Sequence, residues 1–316
     1  VIASIALALS LTFSGPAVST ATPASGMASA PADLPLPGTN GVKYREKAGD
    51  PVRLASYGLG TKATYLRAAK GDVFSRQKGL SEAVVSPDGR LTAGIPTAYR
   101  AGHDSLLITD RATGKTNRIR TVRAPLVAWG IGWSRDSRKV VLTVQRKTGN
   151  TWRTAGFTIV DVTAKTARTV PVPGLTRESG FWWSPAGGLV SPYRDGLRLY
   201  RPSDGKVAAT WAGIGLTAGA EDAFSPSGKR LLSWCPSRFT EGLCLVDPAT
   251  GRLALRVNVQ PEALFGWWDE SHVIAVMAHG GAYRLSVVDL AGRTTRVLAE
   301  LPRATWAAEF WVTFTR

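Results

Sequence analysis

Six carboxylates stand out in this sequence because their background is so basic. Glu82, Glu178, Glu221, Asp222, Glu262 and Glu309 recur within or just before short apolar segments, in a chain with 39 Lys and Arg against 23 Asp and Glu and a formal net charge of +16. Carboxylates gathered at one mouth would bind a cation or a basic peptide, or do acid–base work on a glycan. Their offsets from neighbouring turns are unequal, so scattered loop placement is the plain alternative. Other catalytic chemistry has little to draw on. The chain has three histidines, and it lacks a Gly-x-Ser-x-Gly elbow, a His-Glu-x-x-His pair and a calcium-loop pattern. Thr113-Gly114-Lys115-Thr116 looks like the tail of a phosphate loop. The position where that loop needs its first glycine is Thr109, however, and the segment is one copy of a repeated turn.

Two cysteines, Cys235 and Cys244, fall at the end of one expected strand and inside the next. Antiparallel neighbours bring such β-carbons within disulfide reach, and an oxidising compartment would let the bond form. Two buried free thiols are the alternative. A metal site is not expected, since two thiols without a nearby histidine fall short of four ligands. No cofactor is expected either.

Among the cations, Arg111, Lys115, Arg118, Arg120 and Arg123 form a run. In a strand beginning near Thr116, alternation sets Arg118 and Arg120 on one side, which must then face water or an anionic ligand. For an exported protein the natural polyanions are wall polymers, anionic glycans and lipid head groups. Nucleic acid fits that setting less well. A solubilising basic surface is the bland reading of the same charge.

The elements that must position these residues repeat. Ser86-Pro87-Asp88-Gly89 recurs as Ser134-Arg135-Asp136-Ser137, Ser184-Pro185-Ala186-Gly187, Ser225-Pro226-Ser227-Gly228 and, degenerate, Trp268-Asp269-Glu270-Ser271. A second turn, typified by Asp110-Arg111-Ala112-Thr113-Gly114-Lys115 and Asp247-Pro248-Ala249-Thr250-Gly251-Arg252, alternates with the first. Proline presets φ early in such turns, and glycine takes the left-handed position without steric cost. Four short strands per repeat at a period of about 40–50 residues is the signature of a β-propeller. Six second turns against five first turns leave one blade to be closed. The expected fold is all-β: a six-bladed propeller of four-stranded antiparallel blades, in which one C-terminal strand joins three N-terminal strands. Trp133, Trp183, Phe224 and Trp267 share the position before the first turn, which implies packing between adjacent blades.

These turns, with an aromatic before Ser-Pro in Trp183-Ser184-Pro185 and Phe224-Ser225-Pro226-Ser227-Gly228, resemble the repeats of TolB-type, WD40-like propellers. The resemblance covers Val52 to about Thr315. It implies architecture rather than activity, because this scaffold hosts many functions. The paired Gly-His and Trp-Asp dipeptides of true WD40 repeats are missing, and so is a counterpart of the separate N-terminal domain of TolB.

Residues 1–21 are expected to be a signal peptide, truncated at its start, because the apolar run Val1–Phe13 is too short to span a bilayer comfortably. An uncleaved anchor is the alternative. Residues 22–42, rich in Ala, Pro and Ser, are expected to form a flexible tether, and residues 43–316 the propeller. The expected protein is secreted or held at the cell surface, monomeric, without a transmembrane span once mature. It would serve as a non-catalytic module recognising a protein or an anionic cell-wall or glycan polymer. The alternative is a glycan-acting or metal-assisted enzyme using the channel-mouth carboxylates.

Overall fold

A computed structural model of the chain describes residues 32–60, 63–175, 179–219, 223–239 and 242–316. The signal-peptide expectation therefore lies outside the described residues. Six antiparallel sheets stand around a central channel, numbered here in chain order from the first sheet made of one continuous segment. Blade 1 runs Leu80–Val85, Leu91–Pro96, His103–Asp110 and Thr116–Arg123; blade 2 runs Leu126–Trp133, Lys139–Thr148, Thr151–Asp161 and Thr166–Pro171. Blade 3 has a two-residue inner strand, Trp182–Trp183, followed by Leu189–Tyr193, Gly196–Tyr200 and Val207–Trp211. Blade 4 comprises Leu231–Trp234, Leu243–Asp247 and Arg252–Val257, its inner strand reduced to the bridges Phe224–Leu231 and Thr217–Ser233. Blade 5 is Ala263–Trp267, His272–His279, Ala282–Asp289 and Thr294–Leu301.

Blade 6 closes the ring as the repeat arithmetic requires. Its inner strand is Phe310–Thr315 from the C-terminal end, hydrogen-bonded to Arg53–Leu59, which is followed outward by Ala63–Arg67 and Phe74–Arg76. A single short helix, Arg303–Ala307, precedes that strand among the described residues. No described helix is long and apolar enough to cross a membrane.

The first turns are rigid for a local reason. The Ser86 hydroxyl donates to the Asp88 carboxylate at 2.6 Å, and Asp88 accepts from the Arg90 amide at 3.0 Å. Ser134 and Asp136 repeat the arrangement. In the second turns Asp110 accepts from the Ala112 and Thr113 amides, and Gly114 takes φ 72° to close the turn.

Apolar burial is divided among the seams between blades, one cluster for each. At the seam of blades 1 and 2, for example, Leu106, Ile108 and Ile119 pack on Ile131, Val140 and Leu142. The repeated tryptophans also tie seams by hydrogen bonds. The indole of Trp133 donates to the Val84 carbonyl at 3.3 Å, Trp183 to Gly132 at 3.1 Å and Trp267 to Ala223 at 2.9 Å. In each case the acceptor lies one residue before the pre-turn position of the preceding blade. The seam of blades 6 and 1 is thinner, with Ala55, Leu66, Ala83 and Val85 as its buried apolar members.

The tether expectation needs correction over its described part. Ala32–Pro35 pairs antiparallel with Lys43–Glu46. The hairpin lies on blades 5 and 6, with Leu34, Leu36, Val42 and Tyr44 each no more than 3% exposed. Those four side chains supply enough apolar surface to hold the segment down, while Glu46 meets Arg67 of blade 6 at 2.7 Å. On the other flank, Arg296 of blade 5 binds Asp50 and the Arg45 carbonyl. The hairpin is a strap across the seam that closes the ring.

Candidate functional site

The expected carboxylates do not act as one group among the described residues. Glu178, Glu221 and Asp222 lie outside them. Glu82, half-buried at the seam of blades 1 and 2, accepts from the Gly130 amide at 2.9 Å and from Ile131 at 2.6 Å. Those amides lie in the irregularity of the strand between Trp129 and Gly132, where the pairing register shifts. Burial pushes the Glu82 carboxyl up, and its two N–H bonds only partly oppose this. Asp104 of the same blade accepts from Ala128 at 3.0 Å, so two carboxylates of blade 1 hold three amides of blade 2. Glu262 and Glu309 are exposed. Among the described residues no three His, Cys, Asp or Glu side chains stand close enough to hold a metal ion.

The cationic stripe is more coherent. Alternation over Arg118–Arg120 leaves Arg118 and Arg120 exposed on one side and Ile119 inward, and the register shift between Arg120 and Arg123 then turns Val122 inward as well. The same side meets the hairpin between the second and third strands of blade 1. There Arg100, Ala101, His103, Asp104 and Ser105 join Arg118 and Arg120 around a surface pocket of about 290 Å³. Arg118 is oriented by donating to the Ser105 hydroxyl at 2.6 Å. Arg100 is exposed at the tip, and His103 pairs across the strands with Arg123. Sequence alternation located the two strand arginines. Arg100 was missed because it arrives from a loop whose pairing only the folded hairpin reveals.

Other arginines are committed to the main chain. Arg111 donates to the carbonyls of Gly89 and Arg67, linking blade 1 to blade 6. Arg168 of blade 2 reaches the Pro202 and Ser203 carbonyls of blade 3. Arg135 crosses the mouth of the channel from blade 2 to blade 4 and donates to the carbonyls of Phe224, Ser225 and Pro226 at 2.7–2.9 Å. Part of the basic excess therefore stitches blades together.

Two further features have geometry suited to recognition or to holding it rigid. The central channel encloses about 560 Å³, with inner-strand or first-turn residues of every blade in its wall. Cys235 and Cys244 are joined by a disulfide across adjacent strands of blade 4, their α-carbons 5.0 Å apart.

No known family model matches the chain, and no curated protein matches it. Solved structures do. The β-propeller domain of the trilobed protease from Pyrococcus furiosus aligns over 81% of this chain and 79% of its own, at 15% identity and a TM-score of 0.51. The likeness is one of fold. An oligogalacturonate lyase in complex with manganese aligns over 74% of this chain and 70% of its own, at 16% identity and a TM-score of 0.53. TolB from Acinetobacter baumannii aligns over 85% of this chain and 66% of its own, at 14% identity and a TM-score of 0.47. The Pyrococcus propeller is described as having an open velcro topology; in the present chain Phe310–Thr315 pairs with Arg53–Leu59 and the ring is closed.

Proposed function

We propose that this propeller is an exported, non-catalytic binding module that takes an anionic polymer of the cell envelope on the rim of blade 1. The observation that carries this reading is the convergence of Arg100, His103, Arg118 and Arg120 on one surface pocket. Cations fixed on a sheet edge neutralise a polyanion with little loss of side-chain freedom, and the released counterions drive binding. A rigid ring supports this, because the blade carrying the site is clamped to the next by Glu82, Asp104 and Trp133. The likeness to an oligogalacturonate lyase leaves a glycan-acting enzyme as the alternative class, but no described carboxylate cluster favours it over binding.

The test is retention on isolated wall polymer and on a heparin resin across a salt series. The parent should elute at progressively lower affinity as salt rises. Replacing Arg118 and Arg120 with Gln should weaken retention and flatten the salt dependence, while changing stability by well under about 1 kcal/mol. Equal retention of parent and double variant at every salt concentration would remove the rim of blade 1 from consideration.

A further inference from the structure

The central channel has the composition of a small-molecule site, and its polar atoms are distributed unevenly. Trp133, Trp183, Phe224, Phe265, Trp311 and Phe314 line it, drawn from blades 2 to 6. Four of these, Trp183, Phe265, Trp311 and Phe314, are only partly buried, in a ring whose seams are otherwise tightly filled. The indole N–H groups of Trp133, Trp183 and Trp311 are already bound to the carbonyls of Val84, Gly132 and Gly60. The wall therefore offers ring faces and edges rather than hydrogen-bond donors. A volume of about 560 Å³ lies within the ~300–1,000 Å³ typical of sites that enclose a small ligand.

Charge is concentrated at the end formed by the first turns, where Asp88, Arg135 and Arg316 line the wall; the Arg135 guanidinium is taken up by the carbonyls of Phe224, Ser225 and Pro226. Asp88 lines that end, but its carboxylate is turned into its own turn, toward Ser86 and the Arg90 amide. Arg316 stands beside it, its guanidinium held by the carbonyls of Trp267 and Trp268 and its amide by the carbonyl of Pro87. Carbonyls fix the group in place without cancelling its charge. Among the described residues Arg316 makes no ion pair with an Asp or Glu side chain. Arg316 is exposed at the open end of the channel, and a guanidinium already fixed in place gives an anion a charge-assisted hydrogen bond at little cost in side-chain freedom.

We propose that the channel binds a small amphiphile whose flat apolar body lies among the aromatic rings and whose acidic group, a carboxylate or sulfonate, meets Arg316. This site is separate from the rim of blade 1 and stands whether or not the rim binds polymer.

The test uses two fluorescent probes on the full chain, 8-anilinonaphthalene-1-sulfonate and its uncharged relative N-phenyl-1-naphthylamine. Each should bind at one site per chain, the sulfonate tighter by at least about tenfold, the worth of one charge-assisted hydrogen bond. Arg316→Gln should cost the sulfonate most of this advantage, although Arg135 remains in the wall, and leave the neutral probe unchanged. Thr313→Trp, which sets a ring on the channel wall, should abolish binding of both. A thermal melt of each variant establishes that it is folded; if Thr313→Trp fails to fold, Phe265→Trp replaces it. Equal affinities for the two probes, several weak sites per chain, or unchanged binding in the folded wall variant would overturn the proposal.

Discussion

The indole Nε1 of Trp267 donates to the Ala223 carbonyl across the seam of blades 4 and 5, at 2.9 Å and with the tryptophan 1% exposed. Trp267→Phe keeps most of the ring packing and removes one of two donors to the Ala223 carbonyl, which still accepts from the Leu232 amide at 2.8 Å. The hydrogen bond is expected to contribute about 0.5–1.5 kcal/mol, read as a lower denaturant midpoint at unchanged slope. An equal midpoint would mean that ring packing alone secures the seam.

The strap depends on a buried ion pair. Arg67 and Glu46 have side chains 6% and 10% exposed and meet at 2.7 Å, with Asp72 also on the guanidinium. Glu46→Ala leaves the arginine largely buried with half of its partners removed, which should cost about 3–5 kcal/mol. Arg67→Met with Glu46→Leu removes both charges and should recover much of that loss. Denaturant titration of the two variants against the parent distinguishes the cases.

Closure can be tested by truncation. Deleting residues 306–316 removes the inner strand of blade 6 and bares the paired edge of Arg53–Leu59. The expected result is loss of the single cooperative melting transition and a tendency to associate through the exposed edge. A truncated chain that melts like the parent would show that the C-terminal strand is dispensable.

Glu82 gives a pH dependence of definite sign. Its carboxyl titrates above the ordinary value of 4.5 because burial disfavours the charge. The folded chain therefore keeps this proton to higher pH than the unfolded chain does. The stability it contributes is full below the ordinary glutamate range and is lost as pH rises through the raised folded value. Compared with Glu82→Gln, the parent should gain relative stability on acidification and lose it toward neutrality. A difference that grew in the opposite direction would show that the bonds to Gly130 and Ile131 outweigh burial.

The ring was readable from the sequence because its turns are local chemistry. Ser86 with Asp88, and Asp110 with Gly114, satisfy their own turns within a few residues, so the pattern survives wherever the chain repeats it. The disulfide partners and the side shared by Arg118 and Arg120 were readable for the same reason, since neighbouring strands and alternation are short-range. Glu82 was not, because its partners lie nearly fifty residues away on a bulge that only packing creates. The strap was hidden differently. Leu34, Leu36, Val42 and Tyr44 sit among prolines and glycines, and a composition that suggests a tether conceals four side chains that need one seam to bury them.

The six seams differ in thickness, and this gives the ring a preferred place to fail. Blade 6 shares a deep apolar contact with blade 5, overlaid by the strap, whereas its seam with blade 1 buries only Ala55 and Leu66 from its own side against Ala83 and Val85 of blade 1, together with the Arg111 bonds. Under a tangential pull, or in the earliest opening by heat, the circle should part between blades 6 and 1. The terminal blade would leave as a rider on blade 5. The ring would then behave as a letter C with one hinge-free gap rather than as six equal wedges.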